Sequence, residues 1–288
     1  MINVFLDSST YLDQFFFLLI ELMTGSFANL PKTLKRILSH NWNMGERKSK
    51  VKEITEMSNV EIMQELRKFD TATICNVVAT YPENDICLKL YDAWYGEYYT
   101  NQSLRCIYPE LGPLCGYAAT AWYSEWSENY TKFDDWVLYD HVNLTKKPAI
   151  LVTKQTYPSG LVGGGLFGGN FTTQLKFLGV VGVLTDGPMR DYEEIKPMKF
   201  QYLASGLTSG HGPWSLRGVN IPVTVAGMFV QPGDIIHVDV CGAAKFPEKY
   251  LPKVLEYTNE LRKRESKHQS RFHDQDFTYE KWKNSGKK

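Results

Sequence analysis

A chain of 288 residues with 43% hydrophobic and 14% aromatic side chains is globular by composition and can bury one large core or two small ones. Lys and Arg together number 32, as do Asp and Glu, for a formal net charge of zero; no overall field draws the chain to nucleic acid or an acidic membrane surface, so a charged ligand must be met locally. The five cysteines, Cys75, Cys87, Cys106, Cys115 and Cys241, show no CxxC or zinc-ligand spacing, which points to buried, reduced thiols in a cytosol rather than a disulfide framework.

Residues 1–57 read as an N-terminal extension, a helix and a linker. Its apolar run, Phe15 to Met23, is broken by Glu21 and lacks a basic flank. It is too short for a membrane span and has the wrong flank for a signal peptide, so a cytoplasmic protein with no membrane partner is expected. A core domain is expected over residues 58–250. It opens on "SNVEIMQEL", where Ser58 and Glu61 have the spacing of a capping box ahead of Val60, Met63 and Leu66 at helical intervals. From Leu111 to Tyr157, β-like runs ("GYAATAWY", "PAILVTKQ") flank an acidic, Trp-rich middle. Trp122, Trp126 and Trp136 are read as core or subunit-interface packing, with stacking on a sugar or base as the lesser alternative. Past Ile195, "VNIPVTVAGMFV" and "DIIHVDVCGAAKF" lie on either side of a "QPGD" turn and read as hairpin-forming strands. Residues 251–288 open as a charged helix and end in a polar, basic tail.

The chemistry concentrates between Gly163 and Glu194. Gly163, Gly165 and Gly168 formally satisfy GxGxxG, with Asp186 downstream. A dinucleotide fingerprint needs its first glycine in the turn directly after a strand, and "AILVT" ends about ten residues too early. A P-loop is excluded because no Gly-Lys-Ser/Thr follows. Phe171, Leu175 and Leu178 instead mark a short helix starting near Asn170, a good N-cap residue. The free N–H groups at that end, approached through glycines, suit a carboxylate or phosphate. The strand "VVGVLT" and the turn "DGP" then deliver Arg190 and Asp191. If the next element is helical, Asp191 and Glu194 share one face. An Arg fork suits a planar carboxylate, and two carboxylates suit a hard cation such as Mg2+. Together these groups can hold a small 2-oxo acid by its carboxylate and keto oxygen.

Gly169, twenty intervening residues, then Arg190-Asp191-x-x-Glu194 resembles the G-x20-R-D-x2-E/D signature of the RraA-like family, which takes in 4-hydroxy-4-methyl-2-oxoglutarate aldolases and the regulator of ribonuclease E activity. "KFDTATICNVV", "VVGVLTDGPMRD" and "VNIPVTVAGMFVQPGDIIHVDVCGAAKFP" resemble the family's opening helix, central strand with active-site turn, and closing strands. The resemblance implies an α/β domain of the ββα-sandwich, swivelling type (phosphohistidine-domain-like), assembled as a homotrimer or homohexamer. It also implies a lyase of the aldolase or decarboxylase kind. In such an enzyme Asp191 binds Mg2+ or Mn2+, and Arg190 and the backbone N–H groups of Asn170 and Phe171 hold the substrate; in this chain Glu194 is read as a further ligand, and Gly168 and Gly169 as lining the substrate site. One departure stands out: the active lyases of this kind carry Asp where this chain has Gly169. The alternative is therefore a ring-shaped regulatory protein that binds an RNA-processing partner without catalysis.

Overall fold

The computed structural model describes residues 54, 56–128, 133–157 and 163–285; the helix and linker expected over residues 1–57 lie almost wholly outside them. Residues 54–288 form one compact unit. Its helices are α1 (Asn59–Leu66), α2 (Thr71–Val78), α3 (Asp135–Leu144), α4 (Gly169–Phe177), α5 (Tyr192–Ile195), α6 (Leu251–Ser270) and α7 (Tyr279–Ser285). Its strands are β1 (Ala79–Thr80), β2 (Tyr91–Asp92), β3 (Arg105–Cys106), β4 (Leu114–Glu125), β5 (Ala149–Thr156), β6 (Val180–Thr185), β7 (Gln201–Ala204), β8 (Trp214–Val219), β9 (Val223–Val225), β10 (Met228–Val230), β11 (Ile235–Asp239) and β12 (Gly242–Phe246).

The main sheet runs β12-β11-β4-β5-β6-β7-β3, with β8 added to the far end of β4. β4 to β7 are parallel, and the strands outside them are antiparallel. The parallel strands are apolar almost throughout because both faces are covered. Ala149, Leu151 and Val183 pack with Leu138 and Val142 of α3 and Leu175 of α4. Ile150, Val152 and Leu184 face the other way, onto Val223, Val225, Met228 and Val230 of the β9–β10 hairpin. That hairpin turns on Ala226 and Gly227, both at positive φ, as a two-residue turn between twisted strands requires. β11 and β12 form the second expected hairpin. A third cluster joins α1, α2 and α6 to the β11–β12 end through Ile62, Leu66, Val77, Leu251, Val254 and Ile235. The result is a single mixed α/β core, as expected.

The capping box is present: the Glu61 N–H donates to Ser58 Oγ at 3.3 Å and the Ser58 N–H to Glu61 Oε2 at 2.7 Å. Two expectations need correction. Trp126 and Trp136 are 57% and 70% exposed, which removes the core half of the reading given for the tryptophans and leaves the subunit-interface half untouched. The cysteines are all free, and burial pushes the Cys75 and Cys115 thiols up to about 12, but Cys241 is exposed rather than buried. Within the polar tail, α7 places Trp282 edge-on to Phe272, with ring centroids 5.3 Å apart.

Candidate active site

β5 and β6 are parallel neighbours, so the loops leaving their carboxyl ends meet beside each other, where open α/β sheets bind ligands. Backbone hydrogen bonds stitch three segments together there. Arg190 N–H donates to Phe167 O at 2.9 Å, Met189 N–H to Gly206 O at 3.0 Å and Thr208 N–H to Met189 O at 2.9 Å. Gly165 N–H donates to Gly210 O at 2.9 Å. The side chains that follow Met189 therefore start from a fixed backbone.

α4 begins at Gly169 with Gly168 as its N-cap, one residue earlier than the expected start at Asn170. The cause is Asp191, whose Oδ2 accepts the Gly169 N–H at 3.0 Å and does the work a capping side chain would do. Arg190 Nε lies 3.5 Å from the same oxygen, and the two side chains are 32% and 30% exposed. A Cβ on Gly168 would stand 2.5 Å from Asp191 Oδ2 and 3.1 Å from Arg190 Nε. One on Gly169 would stand 2.0 Å from Glu194 Oε1. The two glycines are thus demanded by the charged groups that fill their side-chain volume.

Asp191 sits just before α5 with φ 60° and ψ 42°, a left-handed conformation. It is outside the helix, so the expected i, i+3 face shared with Glu194 is not formed by helical spacing. The two carboxylates still converge on the start of α4, one against each glycine. Asp is among the few residues that tolerate this backbone, and left-handed non-glycine residues are enriched at functional sites. α5 is steadied by Tyr108, whose hydroxyl donates to Tyr192 O at 2.8 Å and whose ring stacks on Tyr192 at 5.0 Å. Beyond Gly169, the N–H groups of Asn170 and Phe171 find no acceptor among the described residues. They point where a helix dipole favours an anion.

Sequence reasoning missed two features of this end of the sheet. Lys154 Nζ lies 2.5 Å from Asp186 Oδ2, and Gln155 N–H donates to Asp186 Oδ1 at 2.7 Å. Burial still holds the Asp186 carboxyl above its usual range despite Lys154. The signal was a polar pair closing an otherwise apolar strand, "AILVTKQ". His211 was missed as well: the segment after β7 lies against the glycine loop, with Gly165 and His211 as bridge partners.

The donors suit a particular kind of ion. Among the described residues no group of three or more His, Cys, Asp or Glu is placed to hold a metal, which is not the closed set of a structural zinc. Asp191 and Glu194 offer carboxylate oxygens only, which fits a hard divalent cation that keeps much of its water.

The profile of the RraA-like family, described as Aldolase/RraA, matches residues 71–244. This chain belongs to the RraA-like family. As an RraA-like protein it is 31% identical over 137 residues to an uncharacterised protein of Methanocaldococcus jannaschii, covering 47% of this chain and 65% of that one. It is 29% identical over 82 residues to a Halalkalibacterium halodurans protein provisionally named a 4-hydroxy-4-methyl-2-oxoglutarate aldolase, covering 28% and 39%. The chain thus spans less than two thirds of the length of these curated relatives. Among solved structures, Streptomyces coelicolor RraAS2, titled an unusual member of the RNase ES inhibitor RraA protein family, superposes with a TM-score of 0.56. The identity is 17%, over 73% of this chain and 96% of that one, a likeness of fold.

Proposed function

We propose that this RraA-like protein is a divalent-metal-dependent lyase that cleaves a C–C bond of a small 2-oxo acid, by retro-aldol cleavage or decarboxylation, through the enolate of pyruvate. The observation that carries the reading is the convergence of Arg190, Asp191 and Glu194 on the glycine-only start of α4. The Asn170 and Phe171 N–H groups, with the positive end of the helix, receive the substrate carboxylate. Arg190 orients the keto oxygen and stabilises the negative charge that grows on it as the bond breaks. Asp191 and Glu194 would hold Mg2+ or Mn2+, which when bound supplies Lewis-acid polarisation of that oxygen.

The name of the Halalkalibacterium halodurans relative supports the aldolase chemistry. The alternative, a ring-shaped regulator of an RNA-processing partner, drew its force from Gly169. The Glu194 carboxylate, standing in that glycine's side-chain volume, weakens this ground because it supplies the charge an Asp would have brought. Oxaloacetate decarboxylation measured with and without Mg2+ or Mn2+ tests the reading, since many such reactions share the pyruvate enolate. Metal-dependent turnover is expected. Turnover equal to the metal-only background with either ion would overturn the proposal.

A further inference from the structure

A retro-aldol cleavage needs a group that takes a proton from the substrate hydroxyl and later gives one to the enolate carbon. None of the side chains already placed is suited to it: Arg190 is a guanidinium and no base, Asp191 is bonded to Gly169 N–H and Arg190, Glu194 beside Gly169 is given to the cation in the reading above, and Lys154 is paired with Asp186. Among the described histidines, His141 Nε2 accepts the Thr120 N–H, and His237 is buried with both ring nitrogens engaged. His268 and His273 lie at the end of α6 and just beyond it, in the tail. His211 remains.

Its position is built with some care. Gly165 N–H donates to Gly210 O at 2.9 Å and Gly212 N–H to Gly165 O at 3.4 Å, so backbone bonds on both sides of His211 tie it to the glycine loop. A Cβ on Gly164 would stand 2.2 Å from Gly212 Cα and 2.6 Å from Gly212 N, and one on Gly212 would stand 2.4 Å from Trp214 Nε1. Only glycine permits this approach. A Cβ on Gly165 would in turn be 3.5 Å from Arg190 Cβ, so His211 and Arg190 both border the same residue. The imidazole is also prepared. Nδ1 lies 2.8 Å from Gly212 O; a carbonyl only accepts, so Nδ1 carries a hydrogen and Nε2 is left as the exchangeable nitrogen. The residue is exposed, which lets Nε2 trade protons with water.

We infer that His211 is the acid–base residue of this site, an inference that rests on the lyase reading above. Nε2 takes the proton of the C4 hydroxyl as the C3–C4 bond breaks. The bonding pair passes into the enolate, and a carbonyl compound leaves. The imidazolium then returns the proton from Nε2 to C3, giving pyruvate and neutral His211, with no further reactant. By the reverse of its last step, Nε2 removes a methyl proton from bound pyruvate.

That reversal supplies the test: exchange of the pyruvate methyl hydrogens in D2O, followed by NMR with the full chain and Mg2+ or Mn2+. Wild type should exchange only with metal. His211→Asn can keep a donor to Gly212 O, and should exchange at least about 100-fold more slowly, with pyruvate and Mg2+ affinities and the thermal midpoint unchanged. Added imidazole should partly restore exchange in His211→Ala. A wild-type rate in His211→Asn overturns the assignment, as does a fall in pyruvate affinity that accounts for the lost rate, which would make His211 merely structural. A wild type that exchanges with neither metal removes the lyase reading itself, and the two failures are told apart by which protein fails.

Discussion

At position 169 the residues compete for one volume: a side chain there meets Glu194 Oε1 at 2.0 Å. Because Gly169 lies in a helix and not at positive φ, backbone strain does not decide the outcome of a substitution. Gly169→Asp is therefore expected to displace Glu194 and set two like charges together, so that oxaloacetate decarboxylation stays level or falls. The double variant Gly169→Asp, Glu194→Gly returns one carboxylate to the same space and should recover activity to within about tenfold of wild type. A rise in the single variant would mean Glu194 contributes nothing. For Asp191→Asn, the amide oxygen can still accept the Gly169 N–H and Asn tolerates left-handed backbone. Stability should stay within about 1 kcal/mol while Mg2+ binding is lost; unchanged metal affinity by calorimetry would refute the ligand role. The Arg190-Asp191 pair and its distance from Gly169 were legible in the sequence because they are a spacing. The left-handed turn at Asp191 was not, since Asp occupies ordinary helix starts far more often and nothing local distinguishes the two.

Between elements, His237 on β11 joins two helices: Nε2–H donates to Leu66 O at 3.2 Å at the end of α1, and Nδ1 accepts from Thr71 Oγ at 2.9 Å at the start of α2. Burial is the main cause that pushes its pKa down to about 4 from an ordinary 6.5. Between those values the unfolded chain binds more protons than the folded one, so stability rises with pH across that window. The contribution is complete above about pH 6.5 and is lost as pH falls toward 4, a change of roughly 3 kcal/mol. Urea unfolding of wild type against His237→Gln should show a shallower pH slope in the variant; parallel slopes would remove His237 as the cause. Gly164→Ala should cost about 1–3 kcal/mol by wedging the glycine loop from the 210–212 segment, and should slow pyruvate exchange as His211→Asn does. A melt and an exchange rate together check it. The hairpins and "VVGVLT" were legible because composition and turn residues mark them. The fate of Trp122 was not. It alternates onto the same face of β4 as Ala118, but past the residues that the β9–β10 hairpin covers, and how far a neighbour extends is not written in the strand itself.

For the molecule as a whole, zero net charge offers no long-range steering, yet Trp136, Leu144 and Phe177 present large apolar surfaces to solvent. Burial of such residues against other copies of the chain would relieve that exposure. A trimer or hexamer is expected by light scattering at micromolar concentration, and a monomer there would count against both functional readings. The order of strands in the sheet lay beyond the sequence because β4 pairs with partners far along the chain, β11 through Leu114–Tyr117 and β8 through Ala121–Glu125. That dependence has a cost during synthesis. A chain leaving the ribosome carries β4 with one edge bare until residues 214–239 have emerged, after the whole glycine loop and the Arg190 turn. During that interval an unpaired strand rich in alanine and aromatics is open to any other nascent strand. A ribosome stalled before residue 214 would therefore release a product that has Arg190, Asp191 and Glu194, the side chains proposed to hold substrate and cation, and is still expected to aggregate.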